Sequence, residues 1–135
     1  MEDYVVLLGK ISPEDIPGYF FKADLFIFSS QSETQGMVIL EAMAGGTPVV
    51  AVDSSGISDI VENGINGYKT DANLEIWTAK IKFLLNNPEE RISLSKGAVR
   101  TAGNNSIVNM SKNIVAMYYE IINWKNKHPN QTFVR

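Results

Sequence analysis

Three short apolar runs constrain this chain more than anything else in it. Residues 4–8, 25–28 and 48–52 are each too short for a helix and rich in β-branched or aromatic side chains. Each is followed by a loop and a helix-start signal. Gly9 ends the first run, and Ser12 then offers an N-cap with Pro13 at the first helical position of a helix reaching about Lys22, bent at Pro17 and Gly18. A polar loop over residues 29–36 follows the second run, and a helix from Met37 to Ala44 is stopped by Gly45 and Gly46. Ser54, Ser55 and Gly56 follow the third run and open a short helix through Val61; turns at Asn63-Gly64 and Asn66-Gly67 frame a short fourth strand near Tyr68. Strand and helix alternating over short connections predict an α/β fold, a Rossmann-like parallel sheet with flanking helices, whose ligands bind outside the carboxyl ends of the strands.

Beyond Asp71 the pattern turns helical. Leu74, Trp77, Ile81, Leu84 and Leu85 share a stripe over residues 73–85, Pro88 restarts a helix, and residues 107–126 carry another amphipathic pattern. A chain of 135 residues can bury one core, so residues 1–135 are read as a single domain, with the sheet in 1–70 and the closing helices in 71–135.

Charge and composition narrow the function. A net charge of -3 with scattered Lys and Arg gives no basic stripe for nucleic acid. The chain has no cysteine, which removes disulfides and thiolate metal sites and fits a reducing compartment. Gly45, Gly46 and Pro48 interrupt the longest nearly uncharged stretch, and the acidic start is not a secretion signal, so the expected location is cytoplasmic. Trp124 with Lys125 and Lys127 is the one patch suited to the inner face of a membrane, and it is small. No Asp-any-Asp triplet is present and His128 stands alone, so no metal ion is expected.

Glu41 is the only charged residue between Glu33 and Asp53, inside an otherwise apolar run. Desolvating a carboxylate there is costly unless something donates hydrogen bonds to it. Glu33 lies in the loop before the same helix, and side chains lean toward a helix N-terminus, so both acids can face the space at its tip. The N–H groups of Gly36, Met37 and Val38 point there with partial positive charge, a ready anion site. A ligand that fits an anion pocket between two hydrogen-bond-accepting carboxylates is a diphosphate with hydroxyl-rich groups at both ends. A nucleotide sugar has that shape.

The residues that carry this reading also resemble a known family. Glu33 and Glu41 with seven residues between them, then Ala42-Met43-Ala44, Gly45-Gly46 and Pro48-Val49-Val50, are similar to the signature of group 1 (family 4) glycosyltransferases. Ala23-Asp24-Leu25 upstream and Ser55-Gly56, Asp59 and Asn63-Gly64 downstream match further. The resemblance spans residues 8–71. It implies the donor-binding, C-terminal part of a retaining glycosyltransferase-B enzyme, a hexosyltransferase with no cofactor whose donor is a UDP- or GDP-sugar. By that likeness Glu33 is the catalytic-side glutamate on the donor sugar, Glu41 meets the ribose, and Gly36, Met37 and Val38 lie beside sugar and phosphates, with Gly9 and Lys10 near the base. It also implies partners absent from the chain: the acceptor domain of the same enzyme and the family's phosphate-contacting Arg and Lys, which lie upstream. The expected acceptor is a cell-envelope glycan or glycolipid, and the chain alone is expected to be inactive.

Departures from the pattern fall at Ser29-Ser30, where the family has Pro-Ser, at Thr34-Gln35-Gly36, where Gly-Phe-Gly is common, and at Ser55 and Asp59 for Gly and Glu. Plainer readings stand beside these. Glu41 could pair with a lysine, Glu33 could be a solvated loop residue, Asp53 could cap a helix, and Trp77, Tyr118, Tyr119 and Trp124 could be packing residues. The rival functions are a non-catalytic Rossmann-like module holding a phosphate ligand or a partner protein, and a sugar-phosphate synthase or phosphorylase of the same architecture.

Overall fold

The computed structural model describes residues 4–129. Among them the order is α1 (Ile16–Lys22), β1 (Phe26–Phe28), α2 (Met37–Ala44), β2 (Val49–Val52), α3 (Ser55–Ser58), β3 (Gly67–Thr70), α4 (Leu74–Leu85), α5 (Pro88–Asn104) and α6 (Ile107–Lys127). The chain falls into two compact units, Met1–Ala102 and Gly103–Arg135.

In the first unit the three strands form a parallel sheet in the order β1-β2-β3. Phe26 pairs with Val49 and Phe28 with Ala51, while Val49 pairs with Gly67 and Val52 with Thr70. All four residues of β2 are buried, as expected of a central strand covered on both faces. The period of two sends its side chains to opposite sides. Val49 and Ala51 pack with Ile39 and Met43 of α2, Ile57 of α3, Val61 and Ala98; Val50 packs with Leu84 and Leu94, supported by Trp77 and Ile81. Helices therefore cover both faces, and α5 serves each, with Leu94 on one side and Ala98 on the other. Each fully buried Val, Leu or Ile contributes about 1.5–3 kcal/mol, so β2 and its neighbours carry much of the unit's stability.

Four expectations need correction. Residues 4–8 form no strand. Tyr4 is 91% and Leu7 93% exposed, and the segment makes no ladder because no strand among the described residues lies beside it. α1 begins later than its sequence signal: Asp15, not Ser12, stands at the N-cap, and Pro17 occupies the first turn. Ser12 instead closes a turn through its carbonyl to the Asp15 N–H at 3.0 Å. In α4 only Trp77, Ile81 and Leu84 of the expected stripe reach the core, since Leu74 and Leu85 flank the face that meets β2. Tyr118 and Tyr119, read as packing residues, are exposed.

Two polar details fix the connections. Asn73 caps α4 by accepting from the N–H groups of Glu75 and Ile76. Asn66 is fully buried, accepts from the Glu62 N–H and donates to the Ile60 carbonyl and to Thr101 Oγ1, which ties the loop before β3 to α5. Its neighbour Gly97 lies so close to that loop that an added Cβ would sit 1.8 Å from the Ile65 carbonyl oxygen.

The second unit is built on α6. Ser106 caps it by accepting from the Asn109 N–H, Asn109 Nδ2 donates to the Gly103 carbonyl at 2.7 Å, and His128 stacks on Trp124 at its far end. No described helix is long and apolar enough to cross a membrane.

Gly97→Ala is expected to destabilise the first unit by about 1–3 kcal/mol or more, because the clash is with backbone that cannot rotate away. Urea unfolding of the variant beside Gly103→Ala, where an added Cβ meets nothing within 4 Å, measures it.

Candidate functional site

β1 and β2 each deliver a loop to the carboxyl edge of the sheet, residues 29–36 after β1 and residues 53–54 before α3. The two loops meet. The Glu33 carbonyl accepts from the Gly56 N–H at 3.0 Å, and the hydroxyls of Ser54 and Ser55 donate to the same oxygen at 3.5 Å each. Gly56 has no room for a side chain: a Cβ there would lie 2.7 Å from Thr34 C and 2.8 Å from Gln35 N. Gly36 is the N-cap of α2 at φ 65°, and a Cβ on it would lie 2.6 Å from the Gly56 carbonyl oxygen and 2.3 Å from Ile60 Cδ1. Gly36 is thus required on two grounds, backbone conformation and space.

Within this frame Glu33 turns back on its own loop. Its Oε1 accepts from the N–H groups of Gln35 at 2.8 Å and Gly36 at 2.7 Å. These two bonds, Gln35 foremost, hold its carboxyl below the ordinary value, since they favour the charged form. The expectation that the Gly36 N–H stands free is corrected: it is already satisfied by Glu33. Among the described residues nothing accepts from the N–H groups of Met37 and Val38, which remain open at the helix tip.

Glu41 corrects a second expectation. It is exposed, not enclosed in a core, because α2 buries Ile39, Ala42 and Met43 and turns Met37, Glu41 and Ala44 outward on one stripe at positions i, i+4 and i+7. No described side chain bonds its carboxylate, so the structural ion pair with a lysine is absent among the described residues. Glu41 lines a cavity of about 480 Å³ whose walls are Pro13, Ile16, Pro17, Phe20 and Phe21 of the α1 region, with Ala44 and Gly45 of α2. Glu33 is not among its lining residues. Thr47 fastens this wall, donating from Oγ1 to the Phe20 carbonyl.

Among the described residues no strand precedes Gly9 and Lys10, so they do not sit at a described strand end; both are exposed, with Gly9 at φ 66°. Asp53 accepts from Ser58 Oγ at 2.5 Å and so braces α3. Among the described residues no group of three or more His, Asp or Glu could hold a metal ion. Sequence reasoning missed the Ser54-Ser55-Gly56 clamp on Glu33 and the α1 wall beside Glu41. The only available signal for the clamp was a helix start rich in small residues directly after a strand.

A family model described as glycosyl transferases group 1 matches residues 1–101. Spore coat protein SA of Bacillus subtilis is 31% identical over 121 residues, which cover 87% of this chain and 32% of the relative. The D-inositol 3-phosphate glycosyltransferase of Thermobispora bispora is 36% identical over 100 residues, 73% of this chain and 23% of the relative. Among solved structures, Anabaena HepE (Alr3699) in complex with UDP superposes with a TM-score of 0.76 at 28% identity, over 88% of this chain and 33% of that one. The same protein with UDP-glucose gives 0.67 over 78% of this chain and 30% of that one. The chain thus spans about a third or less of the length of these relatives.

Glu33's hydrogen bonds to the Gln35 and Gly36 amides have a testable pH signature. Because its carboxyl is held low, the contact stabilises the loop above the unfolded value near 4.5 and is lost as pH falls through the lower folded value. NMR titration should show the Gln35 and Gly36 amide protons shifting together with the Glu33 carboxyl carbon, below the titration of exposed glutamates.

Proposed function

The chain belongs to the group 1 glycosyl transferases, and from that premise we propose that it is the donor-gripping part of a retaining enzyme that moves a hexose from a UDP- or GDP-sugar to a glycan or glycolipid. The observation that carries this reading is the clamped loop at the tip of α2, where Glu33 and the open amides of Met37 and Val38 share the carboxyl edge of a parallel sheet. The complexes of HepE with UDP and UDP-glucose support a nucleotide sugar as the ligand.

Each group then has a task. Glu33, released from its own amides, accepts hydrogen bonds from hydroxyls of the transferred sugar. The N–H groups of Gly36, Met37 and Val38 hold the departing diphosphate, which gathers charge as the glycosidic bond breaks. Glu41 accepts from the ribose hydroxyls at the mouth of the α1–α2 cavity, whose apolar wall of Pro13, Ile16 and Pro17 suits the flat face of a base. The protein's work is positioning and electrostatic stabilisation, so no metal or cofactor is required of it.

A diphosphate flanked by two carboxylates needs cations, and no Lys or Arg side chain supplies one at the 33–38 loop among the described contacts. We assign those cations, and the acceptor site, to a further part of the same enzyme. The free edge of β1, where Ile27 is 49% exposed, and the apolar exposed segment at residues 4–8 support such a neighbour, since both offer unpaired backbone and uncovered side chains. The setting we favour is the cytoplasm, with the acceptor reached at the inner face of a membrane.

Calorimetry with UDP-glucose, GDP-glucose, UDP and inorganic phosphate tests the proposal. UDP- or GDP-sugar binding tighter than phosphate is expected; equal affinity for all four would favour a non-catalytic phosphate module. Glu33→Gln should erase the preference for UDP-glucose over UDP, while Glu41→Gln should weaken both by about tenfold, the value of a hydrogen bond to a charged group. Turnover by this chain alone with any of these donors would overturn the assignment of cations and acceptor site elsewhere.

A further inference from the structure

We propose that Gly56 is a positioning residue for the transfer reaction, acting through Glu33, with the hydroxyls of Ser54 and Ser55 as its helpers. This rests on the sugar-facing role of Glu33. One residue, Glu33, carries several constraints at once. The Glu33 carbonyl is held by three donors from residues 54–56, at the N-cap and start of α3, and the Glu33 carboxylate by two donors from its own loop. Residue 33 is therefore fixed at both ends, and the outer anchor is the Gly56 N–H.

The packing makes the anchor rigid. The three atoms nearest an added Cβ at Gly56 are all backbone, Thr34 C, Gln35 N and Glu33 O, within 2.8 Å. Backbone cannot rotate out of the way as a side chain can, so a methyl group at position 56 must push the Glu33–Gln35 segment outward. In the other direction, Gly36 rests against the Gly56 carbonyl oxygen and Ile60 Cδ1, so the displaced segment has no space on the α3 side. The position of the Glu33 carboxylate is thereby set by β2, through β2's buried residues and the two-residue link, Asp53 and Ser54, between β2 and α3. A carboxylate that orients a reacting sugar gains from such support, because a displacement of about 1 Å can cost on the order of a hundredfold in rate.

Gly56→Ala tests this in the chain as it stands, with Gly18→Ala as the control that adds the same methyl where nothing lies within 4 Å. Three readings are taken on the folded protein: the amide shifts of Gln35 and Gly36, the titration of the Glu33 carboxyl carbon, and UDP-glucose binding. In Gly56→Ala the two amide signals should move, the Glu33 titration should rise toward that of an ordinary glutamate, and UDP-glucose affinity should fall about tenfold or more. Gly18→Ala should leave all three unchanged. General loss of stability would not shift a titration measured on molecules that remain folded. Should Gly56→Ala not fold, the double variant Ser54→Ala with Ser55→Ala removes two donors without adding an atom, and should move the titration the same way by a smaller amount.

A folded Gly56→Ala protein with wild-type Gln35 and Gly36 shifts and a wild-type Glu33 titration overturns the inference, and so does an unchanged titration in the double serine variant if that is the one measured. Failure of the sugar role itself looks different: Glu33→Gln would then bind UDP-glucose as the wild type does, while the Gly56→Ala shifts and titration would still move.

Discussion

One backbone hydrogen bond, from the Gly56 N–H to the Glu33 carbonyl, joins the loop after β1 to the loop after β2. With the Ser54 and Ser55 hydroxyls donating to the same oxygen, it makes residues 33–36 part of one block with the start of α3. That block is possible only because both facing positions are glycine, so the main chains approach to a distance that any side chain would prevent. Behind it stands β2, buried on both faces between α2 and α4, which gives the bond a fixed origin. Local chain geometry, core packing and the candidate chemistry thus meet at a single peptide.

Much of this was legible in the sequence. The apolar runs at 25–28 and 48–52 gave β1 and β2 to within a residue, and the Gly45-Gly46 pair gave the end of α2, because these signals are local and match the tertiary demand. The run at 4–8 has the composition of a strand but lies alone, since pairing depends on what is beside a segment and not on the segment itself. Glu41 misled for a related reason. An apolar run suggested a helix buried all round, whereas Met37 and Ala44 share the open stripe with it.

The site was read at the level of residues and missed at the level of contacts. Glu33 and the tip of α2 were identifiable from spacing and from the resemblance, yet the engagement of the Gly36 N–H by Glu33 and the clamp from Ser54, Ser55 and Gly56 were not. The clamp joins positions more than twenty apart in sequence at a main-chain carbonyl, which carries no residue-specific signature, and the Glu33 contact with Gly36 depends on how the loop turns. The apolar wall of α1 was hidden likewise, because Pro13, Ile16 and Pro17 read as ordinary helix-start residues.

The inward turn of Glu33 has a thermodynamic meaning. An anion arriving at the tip of α2 finds the Met37 and Val38 N–H groups open, but at the Gly36 N–H it must displace a resident carboxylate. What an affinity measurement reports at this tip is an exchange free energy between two anions, so the unliganded loop stays ordered and a weak ligand is turned away by an incumbent rather than by empty space.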